Sequence, residues 1–229
     1  MANKIHTPLT TAIRKALKDQ ADPERAVPMA AYLKNIQSCL GVPATPVREI
    51  VRECAKSNPP QQAAELAHAI RELWEGEHRE ERYAAIRLAQ RFARLAGPDF
   101  LELYEWMVVK GQWWDLVDTI ASDLVGPLMD KYPELKKPVF AFIESDNMWL
   151  RRTALLSQLK YKTQTDREIL ARLILATAHE KEFFIRKAIG WVLREFAKTD
   201  PEWVRSFVRE YKSKLAPLSI REALKNIGE

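Results

Sequence analysis

Apolar residues recur at helical spacing along almost the whole chain. Runs such as WDLVDTIASDLV and FIRKAIGWVLRE repeat apolar side chains every three or four positions, which is the period of one face of an α-helix. No run of alternating apolar and polar residues competes as a strand pattern. The pattern predicts helices near residues 8–20, 24–38, 46–57, 61–75, 79–95, 98–109, 112–124, 133–144, 147–158, 165–178, 181–198, 201–213 and 218–227.

The use of glycine and proline agrees with an all-α fold. Only 7 of the 229 residues are glycine, which is few for a protein built from tight β-turns. Most of the 13 prolines fall between the predicted helices or in a first helical turn, where proline is tolerated. The connections are short, so helices that follow one another in sequence are expected to pack antiparallel.

The predicted helices also repeat. Trp114, Trp149 and Phe184 are spaced 35 residues apart, and each opens an amphipathic helix. A period of about 35 to 45 residues with two helices per unit is typical of HEAT-like repeats, which stack into a solenoid with a concave face. The fold class predicted is therefore an all-α, HEAT-like repeat superhelix (α-solenoid) in a single domain over residues 1–229. A compact irregular helical bundle is the alternative.

Charge is distributed unevenly. Residues 1–150 contain 19 Lys and Arg against 21 Asp and Glu, a net charge of −2, whereas residues 151–229 contain 17 against 10, a net charge of +7. A basic C-terminal half favours a polyanionic partner, most commonly nucleic acid. Basic residues on solvated helix faces explain such an imbalance equally well.

Other chemistry is sparsely represented. Cys39 and Cys54 lack the spacing of a metal site or a disulfide framework, which is typical of reduced thiols in a cytosolic protein. No stretch of 18 apolar residues predicts a membrane span, and the N-terminus lacks the apolar core of a signal peptide. The four histidines are scattered and there is no glycine-rich phosphate loop. We therefore expect no cofactor, no metal and a cytoplasmic location, with the nucleoid included if the source is bacterial.

Three residues occupy similar positions relative to the repeated helix starts. Asp118, Arg152 and Trp191 follow those starts by four, three and seven residues, offsets that lie on one face of a helix. If the three helices are equivalent members of consecutive repeats, these side chains converge on one groove together with Trp114. The competing interpretation is that Trp114 and Trp191 pack in the core and that Asp118 is a surface or capping residue. Trp113 and Trp149 are assigned to packing.

Several segments carry a family resemblance. The segments WWDLVDTIA (113–121), DNMWLRRTALLSQLKYK (146–162), KEFFIRKAIGWVLREFAKTDPEWV (181–204) and LAPLSIREALKNI (215–227) resemble AlkD-type DNA alkylation repair glycosylases, and ADPERAVPMAAYLKN (21–35) resembles their N-terminal region. The likeness spans almost the whole chain and is densest after residue 113. The chain departs from the family pattern at IQSCLGVPATP, where the family has an aromatic residue and a proline.

The resemblance implies a HEAT-like superhelix whose basic concave groove holds duplex DNA, and an activity that excises cationic N3- and N7-alkylated purines. It implies that Asp118 is the catalytic residue, that Trp114 and Trp191 contact the lesion, and that Arg152 binds DNA phosphate. Further DNA contacts are expected at Lys160, Arg194, Tyr32, Arg186 and Lys187.

These residue types suit that chemistry. An alkylated purine is already cationic and leaves without a protonating acid, so a single carboxylate that stabilises the oxocarbenium-like sugar is sufficient. Indole rings attract cations, and an arginine fork matches phosphate oxygens. The resemblance and these residues together predict a monofunctional glycosylase whose partner is alkylated double-stranded DNA, and we expect it to be a monomer. A non-catalytic HEAT-repeat DNA-structure-binding protein and a protein-interaction scaffold are the alternatives.

Overall fold

The computed structural model describes residues 7–228, and 73% of it is helical. Within that range there is no strand, only one isolated parallel bridge between Ser38 and His78. The α-helices are α1 (Pro8–Asp19), α2 (Pro23–Tyr32), α3 (Ala44–Ser57), α4 (Ala63–Trp74), α5 (Arg79–Arg91), α6 (Phe100–Gly111), α7 (Trp114–Ile120), α8 (Gly126–Lys131), α9 (Lys136–Ala141), α10 (Met148–Leu156), α11 (Arg167–Thr177), α12 (Phe183–Phe196), α13 (Pro201–Glu210) and α14 (Pro217–Leu224). The predicted all-α class is confirmed and is consistent with an α-solenoid repeat fold. The concave basic groove stays a prediction.

The chain forms two compact units, with the boundary between Phe100 and Leu101. In the first unit, the core is formed by α1, α3, α4 and α5, with Ile13, Leu66 and Leu73 fully buried. None of the described helices in either unit is long and apolar enough to cross a bilayer. The single domain over residues 1–229 stays a prediction.

The predicted helix over 24–38 is too long. α2 ends at Tyr32, and Lys34 and Asn35 both have positive φ angles, of 60° and 54°, which end the helix. The following loop is fixed by Glu80 of α5, a fully buried carboxylate that accepts hydrogen bonds from the backbone N–H groups of residues 40, 41 and 42 at 2.8 to 3.2 Å. Periodicity does not reveal such a contact, because the residues involved lie about forty positions apart in the sequence.

In the second unit, α10 packs against both α7 and α12, and α12 packs against α14. Trp114, Trp149 and Phe184 lie in the first turns of α7, α10 and α12, as the repeat predicts. Residues of α10, α11 and α12, including Leu155 and Ile185, form the buried core of this unit. The segments that carry the candidate site residues, apart from Tyr32, therefore belong to one packed unit.

The helix that contains Asp118 continues beyond the predicted end at residue 124. Pro127 lacks a backbone N–H, and the five residues 121–125 before Gly126 widen into a π-helical turn that joins α7 to α8. The widened turn is held by the loop after α10. A Cβ at Gly126 would lie 2.5 Å from the Ser157 carbonyl oxygen, and the Tyr161 hydroxyl donates to the Gly126 carbonyl at 2.9 Å. Burial raises the pKa of Tyr161 to about 12, so this hydroxyl retains its proton.

The packing of α14 on α12 leads to a prediction about Gly190. A Cβ at this position would lie 2.9 Å from the Ser219 backbone oxygen and 2.5 Å from the Glu222 Cβ, so the two helices would have to separate. We expect Gly190→Ala to lower the free energy of unfolding by about 1–3 kcal/mol, measured by urea denaturation. In the control Gly97→Ala, the new Cβ meets only a flexible Asp99 side chain, and a loss of stability equal to that of Gly190→Ala would contradict the packing explanation.

Candidate functional site

Asp118 and Arg152 form a buried, bidentate ion pair. The Arg152 Nε donates to Asp118 Oδ1 at 2.7 Å, and its Nη2 donates to Oδ2 at 2.9 Å. The exposed fraction of the side chain is 12% for Asp118 and 5% for Arg152. Two parallel N–H···O bonds between a planar fork and a carboxylate fix orientation as well as distance. The carboxylate is thus held in a fixed orientation, in a side chain that is buried but not completely closed off from solvent.

A third contact ties this pair to α12. The Arg152 Nη1 donates to the backbone carbonyl of Phe184, in the first turn of α12. Arg152 of α10 therefore joins Asp118 of α7 to α12. Trp114 lies one turn before Asp118 on α7, and Trp191 lies two turns after Phe184 on α12. The structure brings Asp118 and Arg152 into direct contact and links them to the helix that carries Trp191, whereas the sequence predicted only that these side chains share a groove.

Aromatic rings pack together at the starts of the same three helices. The ring centroid of Trp113 lies 6.1 Å from that of Trp149 and 5.5 Å from that of Phe184, and the centroids of Trp149 and Phe184 are 5.0 Å apart. Tilted and edge-to-face contacts of this kind stabilise buried aromatic clusters. The assignment of Trp113 and Trp149 to packing agrees with these contacts.

Burial and charge act in opposite directions on Asp118. Burial raises the pKa of its carboxyl above the ordinary value of 3.8, because the ionised form loses contact with water. The hydrogen bonds and positive charge of Arg152 oppose that rise, and the nearby charge of Asp115 adds to it. A bidentate guanidinium requires an ionised carboxylate as its acceptor, so Arg152 stabilises the form that can act on a developing cation.

The other cations expected to bind DNA phosphate are mostly paired with carboxylates. Lys160 forms an ion pair with Asp123, which lies in the π turn after Asp118. Lys187 and Arg194 of α12 both pair with Glu222 of α14, with the Lys187 Nζ 3.0 Å from Glu222 Oε1. The positive charge predicted to face DNA is therefore partly neutralised by neighbouring carboxylates.

The remaining predicted contacts have different surroundings. Arg186 donates through its Nε to the Glu180 backbone carbonyl at 2.9 Å. Tyr32 is 71% exposed at the end of α2, in the first unit. Arg152 was expected to bind phosphate, but its guanidinium is buried and all three of its nitrogens contact Asp118 or the Phe184 carbonyl. Phosphate binding by Arg152 stays a prediction, whereas its contact with Asp118 is a structural observation.

Sequence reasoning missed two carboxylates, Asp123 and Glu222. Lys187, Trp191 and Arg194 follow one another at offsets of four and three residues, so their common helix face was visible in the sequence. Glu222, the carboxylate that pairs with Lys187 and Arg194, lies 28 residues beyond Arg194 on another helix, and no local pattern identifies it. Within residues 7–228, no group of three or more His, Cys, Asp or Glu side chains is arranged to hold a metal ion.

A protein-family model described as DNA alkylation repair enzyme matches residues 13–227. The chain belongs to this family. A solved structure described as a predicted DNA alkylation repair enzyme from Enterococcus faecalis is similar to this family member, with a TM-score of 0.84 and 31% sequence identity over 92% of this chain and 98% of that chain. No curated protein matches the sequence. The candidate site of this DNA alkylation repair family member lies entirely within the matched residues.

The ion pair of this DNA alkylation repair family member leads to a prediction about stability. Arg152→Leu leaves the Asp118 carboxylate buried without a cation, and we expect it to lower the free energy of unfolding by about 3–5 kcal/mol at neutral pH. Without Arg152, the pKa of Asp118 rises further above 3.8. When the pKa of Asp118 is higher in the folded than in the unfolded protein, the free energy of unfolding falls as pH rises from the unfolded pKa to the folded one. The stability loss of Arg152→Leu relative to wild type should therefore shrink as pH falls through this range.

Urea denaturation at neutral pH and near pH 4 tests this expectation, with Arg172→Leu as the control, since Arg172 is exposed on α11. A deficit for Arg152→Leu that matches the control, or that does not change with pH, would argue against a buried charged pair.

Proposed function

We propose that this DNA alkylation repair family member is a monofunctional DNA glycosylase. Its proposed substrates are cationic N3- and N7-alkylated purines in duplex DNA, such as 3-methyladenine and 7-methylguanine, and bulky adducts at the same positions are a further candidate class. The observation that carries the proposal is the bidentate Asp118–Arg152 pair, in which the Asp118 side chain is 12% exposed. Support also comes from the family match, which covers every candidate residue.

The chemistry of the lesion explains why one carboxylate is enough. Alkylation at N3 or N7 places a positive charge on the purine, so the base departs with the electrons of the N-glycosidic bond and needs no proton from the protein. The sugar then approaches an oxocarbenium ion, and a nearby anion stabilises its growing positive charge. In this proposal Asp118 provides that anion, and it positions the water that attacks C1′ and accepts a proton from it.

Arg152 orients Asp118 for this task. The pair uses one lone pair of each carboxylate oxygen, and in this proposal a second lone pair of Oδ1 or Oδ2 accepts from the attacking water or faces the sugar. The same guanidinium is fixed to α12 through the Phe184 carbonyl, so the carboxylate keeps its orientation before DNA arrives. Such preorganisation lets the charge stabilise the transition state without rearrangement.

The two tryptophans complete the proposed site. Trp114 is one helical turn from Asp118, and Trp191 is on the helix that Arg152 contacts. An indole face attracts a cation with about 0.5–2 kcal/mol, depending on how much water is excluded. We propose that both rings flank the lesion nucleotide and hold it against Asp118, while cations of the +7 C-terminal half bind the DNA backbone.

Replacing Asp118 by Asn tests this proposal. The amide keeps the shape and one acceptor oxygen but loses the charge, so we expect single-turnover release of 7-methylguanine from methylated duplex to fall about 100-fold or more. Duplex binding should change little. Asp115→Asn is the matched control, because it removes the same charge one turn earlier on α7, and it should retain most of the activity. Released bases are quantified by liquid chromatography.

Two results would contradict the proposal. Undiminished release by Asp118→Asn would show that this carboxylate is not the catalyst. A wild-type protein that binds duplex DNA but releases no alkylated base would favour a non-catalytic DNA-structure-binding member of the family.

A further inference from the structure

One carboxylate holds two cations on the helix face that carries Trp191. Lys187, Trp191 and Arg194 lie at successive offsets of four and three residues on α12, and therefore along one stripe of the helix. Glu222 of α14 reaches both cations. Its Oε1 lies 3.0 Å from the Lys187 Nζ, and its Oε2 accepts from the Arg194 Nη1. The carboxylate thus links two cations of α12, one about a turn before Trp191 in the sequence and the other about a turn after it.

The position of Glu222 is fixed by the backbone. α14 approaches α12 so closely at Gly190 that a Cβ there would lie 2.5 Å from the Glu222 Cβ. The Ser219 hydroxyl, one turn earlier on α14, donates to the Arg186 carbonyl of α12 at 2.9 Å. The Glu222 side chain is only 16% exposed. The carboxylate therefore cannot move far from Lys187 and Arg194 when another anion approaches them.

Glu222 is also an anion whenever DNA is bound at ordinary pH. The hydrogen bond from Lys187 lowers the pKa of Glu222 below its usual value, and the hydrogen bond from Arg194 acts in the same direction. A phosphate that approaches these two cations meets positive charge that is already offset by a carboxylate in contact with both. Ion pairing to phosphate is the main source of sequence-independent affinity for DNA, so this arrangement weakens it.

We infer that Glu222 sets the affinity of this protein for undamaged duplex DNA by competing with backbone phosphate for Lys187 and Arg194. The inference rests on the proposed function, because it takes α12 as a DNA-contacting helix. Phosphate contacts do not distinguish a damaged nucleotide from an undamaged one. Holding these contacts weak leaves a larger share of the binding energy to the groups that touch the lesion, and it shortens the time spent on undamaged DNA.

The direct test is Glu222→Gln, which keeps the size of the side chain and removes its charge. We expect an undamaged duplex to bind about three- to tenfold more tightly at about 0.15 M KCl, and the slope of log K against log salt to steepen by about one. Fluorescence anisotropy over a series of KCl concentrations measures both. The matched control is Glu202→Gln, which removes the same charge from an exposed carboxylate paired with Arg205 on α13.

A second variant keeps the test decisive if Glu222→Gln folds poorly. In wild-type protein Lys187 is already paired, so Lys187→Gln should weaken binding by less than about threefold and flatten the salt slope by less than half of the roughly 0.9 expected for a full phosphate contact. In the Glu222→Gln background, where Lys187 is released, the same substitution should cost clearly more. Circular dichroism melting curves establish that each variant is folded.

Two results would overturn the inference alone. In the first, Glu222→Gln has the affinity and salt slope of the Glu202→Gln control. In the second, Lys187→Gln costs a full phosphate contact in the wild-type protein. A wild-type protein that shows no salt-dependent binding to duplex DNA would overturn the proposed function, and this inference with it.

Discussion

The candidate site depends on a carboxylate and a guanidinium that are removed from water together. Desolvation makes either charge alone very unfavourable in this position, and their two parallel hydrogen bonds offset much of that cost. The same guanidinium binds the Phe184 carbonyl, so one side chain fixes three helices whose sequences are more than thirty residues apart. The contacts that stabilise the ionised form of Asp118 therefore also fix the orientation of the carboxylate that we propose as the catalyst.

Carboxylates recur beside the cations of the second unit. Asp118 neutralises Arg152, Asp123 pairs with Lys160, and Glu222 pairs with two cations of α12. The pairs differ in burial, since the Lys160 side chain is 60% exposed whereas that of Arg152 is 5% exposed. Exposed pairs contribute little and yield readily to a competing anion, while buried pairs persist. Asp118 and Asp123 lie outside residues 151–229, so their pairs with Arg152 and Lys160 reduce the free positive charge of that segment below its net +7, whereas Glu222 is already included in that sum.

Local patterns predicted the parts of the structure that depend on neighbouring residues. Helical periodicity located the helices, and the spacing of Trp114, Trp149 and Phe184 located three equivalent helix starts. The π turn before Gly126 was not predictable, because it depends on close packing against the loop after α10. The acceptor of the Arg152 fork was not predictable either. Offsets predicted that Asp118 and Arg152 share a groove, but their direct contact depends on how α7 and α10 pack, which no local pattern encodes.

The NMR chemical shift of the Asp118 carboxyl carbon, followed against pH and assigned with an Asp118→Asn sample, measures the ionisation on which the site depends. A buried carboxylate held by Arg152 predicts a titration midpoint above the ordinary 3.8, an ionised carboxyl at neutral pH and a slowly exchanging Arg152 Nε–H. A carboxyl that is protonated at neutral pH would contradict the proposed chemistry. A midpoint at the ordinary value together with a rapidly exchanging Nε–H would contradict the buried pair itself.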